Sequence, residues 1–185
     1  MPWSQKVIRQ FQLIPPNPTE KEFYGAYNKL LYSLFPADTD FTVVPQYMPA
    51  PNGGAADFIV MFEVQLQNVT VFVLEVKPPS SLDLISTRQE ADGQMRQRLG
   101  DLAYGGHCPL PILHGVSAMG RQLCFYTLVT GNQDADITPP AIPRHATRIT
   151  DTAPAARWNY DILDATGEAK LRAVVDEIKQ GCAVL

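Results

Sequence analysis

The densest apolar block in the chain is a pair of short runs, Asp57 to Leu66 and Thr70 to Lys77, separated by Gln67-Asn68-Val69. Both runs are rich in β-branched and aromatic residues, which predicts two strands joined as a hairpin. The second run is almost wholly apolar until it ends in Glu75-Val76-Lys77-Pro78-Pro79. A strand of that composition is expected to be central and buried on both faces. Before it, Phe23, Tyr27, Leu30, Leu31 and Leu34 recur at helical spacing, which predicts a helix over 19–35 stopped by Pro36. A strand over 41–48 follows, interrupted by Pro45 and closed by a Pro- and Gly-rich turn over 49–54.

Beyond the hairpin, Ala91, Met95, Leu99 and Leu102 form a narrow apolar stripe that predicts a helix over 84–103. Two further strands are expected over 110–116 and 122–129, around a turn at 117–121. Leu171, Val174, Val175 and Ile178 mark a last amphipathic helix over 167–179. The segment 7–14 reads as a short strand or arm ahead of Pro15-Pro16-Asn17-Pro18, and 131–157, rich in Pro, Thr, Ala and Asp, as a long surface loop. The expectation is one α/β domain over 1–185, with 1–18 as an arm. Its core order is αβββαββ plus a C-terminal helix, around a central mixed sheet.

Composition adds limits. A chain of 185 residues with 45% hydrophobic and 18% charged residues is ordinary for a globular domain with a sizeable core. No apolar run reaches membrane-spanning length, and the first ten residues lack the apolar stretch of a secretory signal, so an intracellular setting, cytoplasmic or nuclear, is expected. Three widely spaced cysteines, Cys108, Cys124 and Cys182, argue against a disulfide framework and a zinc knuckle, and for buried free thiols. HExxH, a phosphate-binding glycine loop and the GxSxG elbow are all missing from the sequence, and the adjacent His107 and Cys108 have no evident third group. The net charge of −4 counts against a strong sequence-independent grip on nucleic acid.

Candidate chemistry gathers at one end of the hairpin. Strand side chains alternate, so Glu75 and Lys77 project from one face with Val76 turned the other way. With a three-residue turn, antiparallel pairing sets Asp57 opposite Pro79, diagonal to Lys77 and on its face. Two carboxylates and an ammonium would then meet. Mg²⁺, or Mn²⁺ in its place, takes carboxylate oxygens while keeping waters, so Asp57 and Glu75 could hold it. Lys77 could orient or activate water beside a phosphate. The other reading of the same residues is a cross-strand ion pair at a strand end. Glu168-Ala169-Lys170 and Glu177-Ile178-Lys179 repeat the tripeptide in a helical pattern, where residues two apart diverge, and Glu63-Val64-Gln65 lies near the turn end of the hairpin.

These residues resemble the motif of the PD-(D/E)xK nuclease superfamily: a carboxylate opening one strand, here Asp57, and E-x-K ending the next, here Glu75-Val76-Lys77. Ala56 stands where the motif's usual proline would be. The resemblance spans about 19–129 and implies a restriction-endonuclease-like fold. With it comes Mg²⁺-dependent hydrolysis of phosphodiester bonds in DNA or RNA, by a protein that many relatives suggest could act as a homodimer. It also implies a glutamate from the first helix completing the metal site, for which Glu20 is the candidate, since Thr19 and Glu22 read as a capping box. A solvated first-turn acid is the alternative for Glu20. On the helix after E-x-K, the resemblance singles out Arg88 and Gln94 for substrate contact, against the alternative of a solvated polar face. His114 reads as a hydrogen-bonded core residue. Arg144, His145, Arg148 and Arg157 read as a substrate- or partner-facing rim, or as scattered surface charge. A nuclease-fold module that binds protein or nucleic acid without turnover remains the alternative function.

Overall fold

The computed structural model describes residues 2–49, 58–105, 108–131 and 136–185. Its middle is the strand β3 (Val69–Lys77), in which Val71, Phe72, Val73, Leu74 and Val76 are all fully buried. Burying side chains of this kind stabilises a fold by about 1.5–3 kcal/mol each, so β3 is where the apolar free energy concentrates. Around it lie α1 (Gln5–Gln12), α2 (Lys21–Leu34), β1 (Phe41–Pro49), β2 (Phe58–Leu66), α3 (Ile85–Tyr104), β4 (Ile112–Met119), β5 (Gln122–Val129), β6 (Tyr160–Asp161) and α4 (Ala165–Cys182). Among the described residues the strands form one six-stranded mixed sheet in chain order, β1 to β6. Only the β3–β4 pairing is parallel; the others are antiparallel. A parallel neighbour requires a crossover, and α3 supplies it.

The helices cover both faces. Leu74 and Val76 of β3 join a core with α1, α2 and α4, while Val73 joins one with Ala91, Met95 and Leu99 of α3. The α3 core also holds Tyr126 and Trp158. Pro45 is tolerated in β1 because β1 is an edge strand. Among the described residues no helix is long and apolar enough to cross a membrane. The three cysteines are free, with Cys124 and Cys182 buried and Cys108 half-buried.

The hairpin forms with a shorter turn than the sequence suggests. Gln67 and Asn68 both take positive φ, 50° and 67°, the geometry of a two-residue turn whose twist suits antiparallel strands. Leu66 therefore pairs with Val69 and Gln65 with Thr70, but Val64 pairs with Phe72, leaving Val71 as an extra residue in β3. Val71 and Phe72 both enter the core under α2. The bulge restores the register that a three-residue turn would have given, so Met61 stands opposite Glu75.

Two expectations need correction. The segment 7–14, read as a strand or arm, lies mostly in the helix α1. Ser4 caps it by accepting from the Val7 amide, and Val7 and Phe11, four apart, bury one stripe, a local period that the β-branched Val7-Ile8 pair obscures. The turn assigned to 117–121 is also wrong. Met119 pairs directly with Gln122, so Ser117, Ala118 and Met119 belong to β4, which runs beside β3 to its end. The turn itself is Gly120-Arg121, with Gly120 at φ +62°.

The N-terminus of α4 packs closely on β6: a Cβ on Gly167 would sit 1.9 Å from the Asp161 carbonyl oxygen. Gly25, exposed on α2, has open space around it. Gly167→Ala is therefore expected to lower unfolding free energy by about 2 kcal/mol or more, because backbone must move. Gly25→Ala should raise it by up to about 1 kcal/mol. Urea denaturation of both variants checks the pair of signs.

Candidate functional site at the end of β3

The last residues of β3 are held from two sides. The Gly120 amide donates to the Lys77 carbonyl at 2.9 Å, and the Tyr27 hydroxyl of α2 donates to the Gly120 carbonyl at 2.7 Å. A side chain at position 120 would meet Pro79 at 2.7 Å, so glycine serves both the positive φ and the close approach. Past Lys77 the chain enters a short 3-10 helix (Pro79–Leu82) beside a cleft of about 650 Å³ that Asn17, Thr19, Pro78, Ser80 and Asp83 help to line.

Glu75 and Lys77 alternate with Val76 and share the α3 side of the sheet. Glu75 has no exposed surface. Its Oε1 lies 3.6 Å from Lys77 Nζ and has no hydrogen-bond partner among the described residues. Its Oε2 accepts from the Ser117 hydroxyl at 3.4 Å, and Ser117 Oγ in turn accepts from Trp158 Nε1 at 3.3 Å. Desolvation by burial pushes the Glu75 carboxyl up to about 7, against the opposing pull of Lys77 and Ser117, and the charge of Glu20 adds to the upward push. A buried carboxylate lacking a full partner set, next to an ammonium that is 14% exposed, is the arrangement in which a functional site is sought first.

Asp57 lies outside the described residues, one position before β2 begins at Phe58. Glu20 occupies the N-cap position of α2 without making a side-chain cap bond, and its Oε1 accepts from the Tyr24 hydroxyl at 2.6 Å. Its charge raises the Glu75 carboxyl, less than burial does and less than Lys77 and Ser117 lower it. The Thr19 hydroxyl donates to the Glu22 carboxylate, but the helix starts one residue later than a Thr19 cap implies. Among the described residues no three His, Cys, Asp or Glu side chains come together as a metal-holding group.

The two residues of α3 have other employment. Arg88 is buried, donating to the carbonyls of Ala153 and Leu82 and pairing with Asp151 at 2.7 Å. That guanidinium is committed to holding the loop rather than open to a substrate. Gln94 donates to Glu90, and its Oε1 is buried without a partner among the described residues. The polar face of α3 is thus not simply solvated: Gln89 donates to the Thr150 carbonyl, and Arg96 to the Pro139 carbonyl. Asp92, buried, pairs with Arg96 at 2.7 Å and Arg157 at 2.6 Å and accepts from Tyr126 at 3.0 Å. The described part of the long loop is a strap across α3. Arg144, His145 and Arg148 are exposed on it, whereas Arg157 is half-buried in the Asp92 cluster.

The remaining acids and histidines fall elsewhere. Glu63 is buried with Arg98 and accepts from Thr70 at 2.8 Å. Glu168 accepts from the Trp3 amide and from Arg172, joining the N-terminal segment to α4. His114 is buried with Nε2 3.4 Å from Glu177, and burial holds its pKa down although Glu177 pulls the other way. Neither of its ring nitrogens makes a hydrogen bond among the described residues, contrary to the expected hydrogen-bonded core histidine. His107 lies outside the described residues.

Ser117 and Trp158 are the site residues that sequence reasoning passed over. Ser117 was read as turn because small and glycine residues surround it; matching the length of β4 to β3 would have placed it opposite Glu75, where it stands.

The raised Glu75 carboxyl makes stability depend on pH. Between the ordinary glutamate value and about 7, the unfolded chain releases this proton while the folded chain keeps it, so folding loses stability as pH rises through that window. Relative to wild type, Glu75→Gln should gain on the order of 3 kcal/mol between pH 4.5 and pH 8, read as the change in the stability gap by urea unfolding. A gap that stays flat across that range would mean Glu75 is ionised throughout. In comparisons with known proteins, no family model matches the chain, nor does any curated protein or solved structure, so the side chains at the β3 end carry the functional reading.

Proposed function

We propose that the chain is a metal-dependent nuclease of the PD-(D/E)xK type, hydrolysing phosphodiester bonds of DNA or RNA. The observation that carries this is Glu75 Oε1, buried without a hydrogen bond among the described residues and 3.6 Å from Lys77 Nζ. Leaving an acceptor oxygen buried and unsatisfied is costly unless something else meets it, and a hard divalent cation is a natural counterpart for a carboxylate oxygen. The succession α2, β1, β2, β3, α3, β4, β5 around one mixed sheet supports a restriction-endonuclease-like fold.

Asp57, Glu75 and Glu20 would hold Mg²⁺ or Mn²⁺. When bound, the cation would supply Lewis-acid stabilisation of charge on the phosphate and lower the pKa of water. The chain's own groups set the stage. Lys77 directs its ammonium to the same side as Glu75, where it can orient water and offset negative charge on the phosphate. Pro78 and Pro79, which follow Lys77 in the chain, line a cleft of about 650 Å³.

A second reading, a module of this fold that binds protein or nucleic acid without turnover, is favoured by one observation. Arg88, Arg96, Arg98 and Arg157 are engaged in ion pairs within a chain of net charge −4, so these four of its fifteen Lys and Arg residues are not open to neutralise phosphates. Incubation of labelled single- and double-stranded DNA and RNA with the protein and Mg²⁺ or Mn²⁺ separates the readings. Cleavage should be supported by the metal, abolished by chelation and reduced by about a hundredfold or more in Lys77→Ala, with an unchanged circular dichroism spectrum. Equal cleavage by that variant defeats the nuclease reading; metal uptake without cleavage favours the binding module.

A further inference from the structure

We propose that Ser117, itself held by Trp158, is a positioning residue that fixes the Glu75 carboxylate by Oε2 and leaves Oε1 as the oxygen offered to a divalent cation. This rests on the metal-dependent reading of the site and adds to it the means by which one ligand is aimed.

The direction of the chain of hydrogen bonds follows from the groups themselves. An indole nitrogen can only donate, so at 3.3 Å the Ser117 oxygen accepts from Trp158. A serine hydroxyl has a single hydrogen, and at 3.4 Å from Oε2 that hydrogen goes to Glu75. Both links are long for hydrogen bonds, as catalytic contacts often are before a ligand binds. The two oxygens of Glu75 are thereby made unequal: Oε2 has a neutral donor, Oε1 faces Lys77 at 3.6 Å with no hydrogen bond. Partners of this kind orient metal-binding carboxylates in general.

Burial keeps the arrangement in one geometry. Glu75 and Ser117 have no exposed surface, Trp158 is buried, and Glu75 and Ser117 are register partners in the parallel pair β3–β4. Trp158 is placed by its own neighbours. Its amide donates to the Ala155 carbonyl at 3.0 Å, and Arg157 beside it is bound to Asp92 and to the Pro140 carbonyl. The strap therefore ends in the side chain that sets Ser117.

The test is Mn²⁺ binding to the full chain, followed by calorimetry and by the resonance signal of free Mn²⁺, with thermal unfolding in parallel. Ser117→Ala should weaken Mn²⁺ binding by about tenfold or more. Ser117→Thr, which keeps the hydroxyl, should bind within about threefold of wild type, and Trp158→Phe, which keeps the ring and loses the donor, should fall between. Equal Mn²⁺ affinity in Ser117→Ala and wild type overturns the proposal, even where Ser117→Ala unfolds at a lower temperature, since a merely structural hydroxyl would move only the latter. If Ser117→Ala does not fold, unchanged affinity in Trp158→Phe overturns it. A wild-type chain that takes up no Mn²⁺ removes the metal-dependent reading itself, a result distinct from uptake by wild type and variant alike.

Discussion

A carboxylate sealed inside a sheet is the constraint from which the rest of this molecule can be understood. Glu75 occupies the central strand, where Leu74 and Val76 on either side of it are apolar and fully buried. Removing an ionised carboxylate from water costs several kcal/mol, and Lys77 and Ser117 offset only part of that, which is why burial dominates its raised pKa. A chain that departs from its own packing rules at one point, with the surrounding strands arranged to keep that point rigid, shows the pattern expected of a functional site.

The other buried acids make the contrast. Glu63 lies on the neighbouring strand, equally enclosed, yet it has Arg98, Thr70 and Gln65 around it. Asp92 has two arginines and a tyrosine hydroxyl. Glu168 has a backbone amide and Arg172. These groups are satisfied within the protein and serve to join elements: hairpin to α3, strap to α3, N-terminal segment to α4. Glu75 alone among these four keeps an oxygen without a hydrogen bond, so its burial is not explained by the architecture it sits in.

Much of the fold was legible because β3 is extreme in composition and because α2, α3 and α4 carry clear helical stripes. Their bounds fall within a few residues of those read from the pattern. Glu75 and Lys77 were found for the same reason, as two charges in an apolar strand with a period that puts them on one side. What the sequence hid was long-range. Ser117 resembles turn material locally, and only the parallel neighbour reveals that it faces Glu75. Trp158 sits at the end of an irregular segment with no periodicity to interpret. Arg88 carries a charge that suggests an open surface, but its partners Asp151 and Ala153 lie more than sixty positions away. Helix α1 was lost to the β-branched pair Val7-Ile8, whose weak local preference was overridden by the Ser4 cap and by packing of Val7 and Phe11.

The extra residue at Val71 has a bearing on how this hairpin could change over time. It lies between the tip of the loop and Glu75, so the strand is out of step on the tip side and in step on the other. Taking Val69 into the loop as its third residue, accompanied by loss of the kink and with nothing inserted, would leave Met61 facing Glu75 as before. The distal loop can vary in length while the chemistry at the opposite end keeps its alignment, a mechanical insulation of the working end from the adaptable one.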